Sequence, residues 1–231
     1  MKILKVYGIQ RSGTSFLRLC MLQNLKDCFV LKGHELGYKH GEPVTIDGIY
    51  QWFEEGPKRF KNHKIIDLHR GIAKDLKEGK SKLNPCVIIK NPYSWHWSIE
   101  RWKIKNGWIS KPEKHYPKNY KSFNNFYRKW RDLIEYGNDV HTTGIFVRYE
   151  DLIKNTRLVI NIIASYFNIE VSRELIIPTK ISHSSIFTEE QKRFYLQDGN
   201  FGLSNEQIMR ITDNMDWDLM KYYGYKPLVG G

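Results

Sequence analysis
Apolar residues fall in short runs, and most runs lead through a polar stretch into a segment with helical periodicity. Residues 3–7 predict a buried strand. They meet Gly8-Ile9-Gln10-Arg11-Ser12-Gly13-Thr14, and an apolar helix is expected from about residue 14 to 26. Residues 28–31 predict a second short strand, the Gly- and His-rich residues 33–48 a loop, and residues 50–60 a short helix. Cys86-Val87-Ile88-Ile89 is the next strong strand, fenced by Pro85 and by Asn91-Pro92, with a helix over about 93–105. Residues 106–121 hold Gly, Lys-Pro and Pro-Lys pairs and aromatics, and read as a surface excursion. Residues 123–136 are amphipathic, and 144–148 predict a third strong strand. Val159, Ile162, Ile163, Tyr166 and Phe167 recur at helical spacing and predict one buried face. Ser204-Asn205-Glu206-Gln207 is a capping-box start for a C-terminal helix. Strands alternating with helices predict an α/β fold with a mainly parallel sheet flanked by helices on both faces.

The 231 residues suit one domain over 1–231, with excursions near 36–80 and 103–140. The hydrophobic share of 41% is enough for a real core. A net charge of +12 points to anionic ligands: a nucleotide, a sulfated or acidic substrate, nucleic acid or a membrane surface. It is equally the charge of a basic protein kept soluble, and composition alone does not choose. Three cysteines argue against a disulfide scaffold, and no Cys/His spacing suits zinc. Cys20 and Cys86 lie in apolar runs and are expected as buried thiols. No apolar stretch approaches the ~20 residues of a membrane span. The first apolar run is too short and interrupted for a signal peptide, so a cytoplasmic location is expected.

Residues 8–16 have the layout of an anion site: strand, glycine-bearing turn, hydroxyl residues, helix. The first N–H groups of a helix lack partners and carry partial positive charge. Gly8 and Gly13 allow close backbone approach, Thr14 and Ser15 offer hydroxyls, and Arg11 offers a cation. The nucleotide loop GxxxxGK[ST] would place lysine at position 14, where this chain has threonine. The lysine that reaches the terminal phosphates of ATP is missing, and the loop's cation sits at Arg11 instead.

Gln10-Arg11-Ser12-Gly13-Thr14-Ser15-Phe16-Leu17 resembles the 5′-phosphosulfate loop of the sulfotransferases that use 3′-phosphoadenosine 5′-phosphosulfate (PAPS). Their second motif is a basic residue ending a strand, then Asn or Asp and Pro, with Ser eight positions after the basic residue. Lys90-Asn91-Pro92 and Ser98 match it, with Lys where the family usually has Arg. Phe146-Val147-Arg148-Tyr149-Glu150-Asp151-Leu152 resembles the family's Tyr-Glu-Asp-Leu segment, whose tyrosine neighbours the adenine. Packing at a strand end remains open for Tyr149. Tyr222-Tyr223-Gly224-Tyr225 is similar to family endings, without a chemistry attached. The resemblance runs over about 3–225, lies nearer the tyrosylprotein and glycan type than the small-molecule type, and implies a P-loop-like sulfotransferase fold.

The resemblance implies in-line transfer of a sulfonate from PAPS to a hydroxyl or amine, leaving adenosine 3′,5′-bisphosphate (PAP), with no metal. Arg11, with Ser12, Gly13, Thr14 and Ser15, would hold the 5′-phosphate; Lys90 and Ser98 would hold the 3′-phosphate. The base is expected on the loop Gly33-His34-Glu35-Leu36-Gly37-Tyr38-Lys39-His40-Gly41. Glu35 resembles the Glu of tyrosylprotein and some glycan sulfotransferases and is the first choice. Small-molecule types use His, so His40 and His34 stand as alternatives, and Lys39 is a candidate for sulfonate or acceptor contact. Among Trp95, Trp97, Trp102, Trp108, Tyr116 and Tyr120, some are expected in the core and others as an acceptor wall. Lys192 and Arg193, before Asp198-Gly199-Asn200, are candidates to fold over the nucleotide. The acceptor is a glycan, a tyrosine peptide or a small alcohol; neither nucleic acid nor membrane is expected as partner. Two other functions compete. A P-loop kinase or hydrolase is opposed by Thr14 and by the lack of an evident Mg²⁺-binding Asp after a strand. A non-catalytic polyanion binder is motivated by the charge.

Overall fold
A computed structural model describes residues 2–33, 35, 39–41, 43, 63–109, 117–137, 143–182, 185–186, 188–197, 199 and 201–228. Four strands form one parallel sheet: β1 (Lys2–Tyr7), β2 (Cys28–Val30), β3 (Lys82–Ile89) and β4 (Ile145–Arg148), in the order β2-β1-β3-β4. The connections carry α1 (Thr14–Asn24), α2 (His63–Lys77), α3 (Pro92–Lys105) and α4 (Pro117–Tyr136). After β4 come α5 (Tyr149–Lys154), α6 (Thr156–Phe167), a small antiparallel pair β5 (Lys180–Ser182) and β6 (Ser185–Ile186), then α7 (Glu189–Leu196), α8 (Asn205–Asn214) and α9 (Trp217–Tyr222).

The central strands read as continuous apolar runs because both faces of the sheet are covered. Side chains alternate between two cores. Leu4, Val6, Cys86 and Ile88 pack with α1 and α6 through Phe16, Leu17, Ile160 and Ile163. Tyr7, Val87 and Ile89 pack with Trp95, Phe123, Tyr127 and Trp130 on the other face. A third cluster joins Ile3, Leu31 and Leu83 to Ile72 and Leu76 of α2.

Four expectations change. Strand β3 begins at Lys82, so Pro85 lies inside it rather than fencing it. A proline is tolerated there because β4 pairs only with Cys86 and the residues after it, so Pro85 has a ladder neighbour on the β1 side alone. Helix α1 stops at Asn24, short of residue 26, because Leu25 turns extended and bridges to Val171. Helix α4 begins at Pro117, so residues 117–121, expected in the excursion, are helical; proline fits a first turn because its missing N–H has no helical partner there. On α6 the buried stripe runs through Val159, Ile160, Ile163, Ala164 and Phe167, while Ile162 and Tyr166 are about half exposed. That helix overhangs β4, the sheet's edge strand among the described residues, and Leu158 and Ile162 line an open groove beside Ile145 and Phe146. The short helix expected over 50–60 lies outside the described residues. Among the described residues no helix is long and apolar enough to cross a membrane.

Register decides where chemistry collects. Tyr7 pairs with Val87, and Ile89 pairs with Arg148. The loop after β1, Lys90 after β3 and Tyr149 after β4 therefore leave the sheet side by side at its carboxyl edge, where open α/β sheets bind ligands.

Candidate functional site
The loop after β1 is held by its own short bonds. The Ser12 N–H and Oγ both donate to the Ile9 carbonyl, at 3.1 and 2.7 Å, and Trp95 Nε1 donates to the Gln10 carbonyl at 2.8 Å. Gly13 caps α1 at φ 99° with no side-chain cap, and the first turn carries no acid. A Cβ on Gly13 would sit 2.4 Å from the Tyr149 ring, and one on Gly8 would sit 2.5 Å from Ser12 Oγ. Both glycines are thus required by close packing, and Gly13 also by its left-handed backbone. Arg11 too is left-handed, at φ 68°, an uncommon conformation for a side-chain-bearing residue.

A cavity of about 480 Å³ opens over this loop. Arg11, Gly13, Thr14 and Ser15 form its floor; Lys90, Tyr149 and Tyr195 form a second wall; Lys39 and His40 a third. Among the described lining residues there is no carboxylate. Lys39 Nζ donates to Ser15 Oγ at 3.1 Å, and burial with the nearby Arg18 charge lowers its pKa.

Lys90 is buried and donates to Ser98 Oγ at 2.8 Å. Its ammonium lies 3.7 Å from the Tyr195 ring centre and 4.7 Å from that of Tyr149. Burial holds it well below the usual lysine value; Glu150 opposes that shift and Arg11 adds to it, so the cations of the two motifs feel one another. Glu150 in turn accepts the Asn91 N–H at 3.0 Å and the Tyr225 hydroxyl at 2.7 Å, and burial raises its pKa. The tyrosine-rich C-terminal segment thus acquires a role: Tyr225 braces the carboxylate behind Lys90.

The structure separates the candidate bases. Glu35 is buried; its carboxylate accepts the Lys32 N–H at 2.5 Å, its carbonyl accepts from Lys5 Nζ, and it is not among the described residues lining the cavity. His40 does line the cavity. Its Nδ1 lies 2.5 Å from the Gly8 carbonyl, which can only accept, so Nδ1 carries the proton and Nε2 is the basic nitrogen. His34 lies outside the described residues.

Trp95 and Tyr120 belong to the core, and Trp97 packs on Phe194 at 4.3 Å. Trp102 and the exposed Trp108 meet edge to face at 4.5 Å and line the cavity. Tyr116, Asp198 and Asn200 lie outside the described residues. Lys192 and Arg193 do not line the cavity, whereas Gln191 and Tyr195 of the same helix do. The sequence reading missed both. Their spacing of four residues on one helical face was the available signal, obscured by the basic pair between them. Among the described residues no group of three or more His, Cys, Asp or Glu is placed to hold a metal ion.

No protein-family model matches the sequence, and no curated protein matches it. Solved structures do. The mouse sulfotransferase SULT7A1 complexed with PAP is similar at 16% identity, over 96% of this chain and 88% of that one, with a TM-score of 0.50. The sulfotransferase domain of the Synechococcus PCC 7002 olefin synthase is similar at 12% identity, over 98% and 95%, with a TM-score of 0.45. At 16% identity the SULT7A1 likeness speaks for fold alone: the chain has an α/β fold like that of a sulfotransferase, with a central parallel sheet, four-stranded among the described residues, flanked by helices.

Proposed function
We propose that the chain is a sulfotransferase that moves the sulfonate of PAPS to a hydroxyl or amine acceptor by in-line transfer. One observation carries this reading: a single cavity, with no carboxylate among its described lining residues, joins two basic groups, the Arg11 loop and Lys90 with its Ser98 partner behind it, set at adjacent strand ends. PAPS carries anionic groups at both its 5′ and 3′ positions. A nucleoside triphosphate concentrates its charge in one chain, and Thr14 stands where such loops use lysine.

In this reading Arg11 and the first N–H groups of α1 hold the 5′-phosphate and stabilise the charge that grows on it as its bond to sulfur breaks. Lys90 and Ser98 hold the 3′-phosphate, and Tyr149 walls the nucleoside. His40 Nε2 takes the acceptor proton as the new sulfur–oxygen or sulfur–nitrogen bond forms. Lys39, bonded to Ser15 beside the loop, would meet the transferring group. Trp102 and Trp108 offer an aromatic wall for a glycan, a tyrosine side chain or a small alcohol. The likeness of Glu35 to the tyrosylprotein and glycan type rests on sequence; the cavity lining favours His40.

The test is transfer of labelled sulfonate from PAPS to an acceptor panel, with calorimetric binding of PAP against ATP–Mg²⁺. Saturable binding of PAP and label in product are expected. Tighter binding of ATP–Mg²⁺ would reverse the reading in favour of a P-loop kinase or hydrolase. Weak, steeply salt-dependent binding of any polyanion would favour a charge-driven binder.

A further inference from the structure
Helix α7 starts at a fixed point, because Thr188 and Gln191 cap it reciprocally. Phe194 anchors it against Trp97 at 4.3 Å and Phe201 at 5.8 Å. One turn after Gln191, Tyr195 reaches the cavity. Its ring lies over the Lys90 ammonium at 3.7 Å and edge-on to Tyr149 at 5.4 Å, and its hydroxyl is 3.1 Å from Ser98 Oγ.

The direction of that last bond follows from the others. Ser98 has one proton, and it goes to the Ser94 carbonyl at 2.8 Å, which can only accept. Ser98 Oγ is therefore an acceptor for both Lys90 and Tyr195. Two donors, an N–H of an ammonium and a phenolic O–H, converge on one oxygen. Lys90 and Ser98 are buried while Tyr195 is half-buried, so Tyr195 is the member of the cluster nearest solvent. A phosphate oxygen is a stronger acceptor than a serine hydroxyl. An oxyanion arriving beside Ser98 would draw both donors from the serine oxygen.

We propose that Tyr195 binds the 3′-phosphate of the donor directly, and that its hydroxyl makes this site distinguish a nucleoside 3′,5′-bisphosphate from a 5′-monophosphate. The assignment rests on the donor reading above. Tyr195→Phe removes the hydroxyl and keeps the ring over Lys90. Titration calorimetry of the full chain and of Tyr195→Phe, with PAP and with adenosine 5′-monophosphate, tests it. A bond from hydroxyl to phosphate is of the charge-assisted kind, so the PAP Kd rises roughly tenfold or more in the variant. The monophosphate Kd stays within about twofold.

Full retention of the wild-type preference for PAP in Tyr195→Phe overturns the assignment of Tyr195 and leaves the donor reading standing. Equal weakening of both nucleotides also overturns it, since that marks a structural role for α7. Failure of the unaltered protein to bind PAP removes the donor reading and this inference with it.

Discussion
Lys5 lies in the middle of β1, fully buried, with its ammonium 4.9 Å from the Tyr7 ring centre and bonded to the Glu35 carbonyl. Burial lowers its pKa from 10.5 to about 7, against a raising effect of Glu35. Replacing Lys5 by Met therefore has two opposing consequences. Holding the ammonium charged inside the fold costs about 5 kcal/mol at pH 6, since each tenfold in the proton equilibrium is about 1.4 kcal/mol. The thioether removes that cost but leaves the Glu35 carbonyl short of a donor, a loss of about 1–3 kcal/mol. The folded pKa lies below the unfolded one, so between about pH 7 and 10.5 the unfolded chain binds more protons. Wild-type stability accordingly rises with pH through that window, and the cost falls to about 2 kcal/mol at pH 9. Lys5→Met is expected to be the more stable protein at pH 6 and to lose about 2–3 kcal/mol of its advantage by pH 9. Urea unfolding of both proteins at pH 6, 7.5 and 9 measures it, and the difference between them cancels the titrating groups that do not interact with Lys5. Parallel profiles, with a difference constant across pH, would refute the reasoning.

Gly13→Ala forces a left-handed alanine into the Tyr149 ring, and is expected to cost about 2 kcal/mol or more and to weaken PAP binding at least tenfold; calorimetry and thermal unfolding together check it. His40→Gln is expected to lower turnover by roughly 10²–10⁴ while leaving the PAP Kd within about threefold, and Glu35→Gln to keep most turnover. The opposite pattern in single-turnover assays returns the base to Glu35.

Much of the candidate site's layout was legible because its groupings are local. Gly8, Arg11, Gly13 and Thr14 lie within one turn of chain, and Lys90 with Ser98 spans one strand end and two helical turns. Such groupings survive without knowledge of the fold. Contacts made at long range did not show. Tyr225 reaches Glu150 across 75 residues, Trp95 reaches Gln10 across 85, and Tyr195 reaches Ser98 across 97. Each of these residues looks like an ordinary aromatic in the sequence. Strand β3 was misread at Pro85 for a related reason: whether proline breaks a strand depends on which neighbour needs its N–H, and β4 starts one residue later. The α6 face was misread because burial there is set by the sheet edge, not by the helix's own period. The preference for Glu35 over His40 rested on resemblance, whereas the choice depends on whether a side chain turns toward Lys32 or toward Gly8.

The cations of the cavity share one electrostatic condition. Lys90 and Lys39 are both lowered in pKa, first by burial and then by neighbouring positive charge, Arg11 for one and Arg18 for the other. An anion placed among them reverses that second effect and stabilises the protonated forms. Binding of PAP is therefore expected to take up protons over the range in which these lysines titrate, and its affinity is expected to fall as pH rises through that range. Glu150 is the competing source: its raised pKa lets it pass a proton to Lys90 inside the protein, with no uptake from solvent. The Asn91 N–H and the Tyr225 hydroxyl both favour its ionised form and oppose the effect of burial. Calorimetry in buffers of different ionisation enthalpy decides the matter. A binding enthalpy that tracks the buffer's supports proton uptake; an enthalpy independent of buffer refutes the expectation.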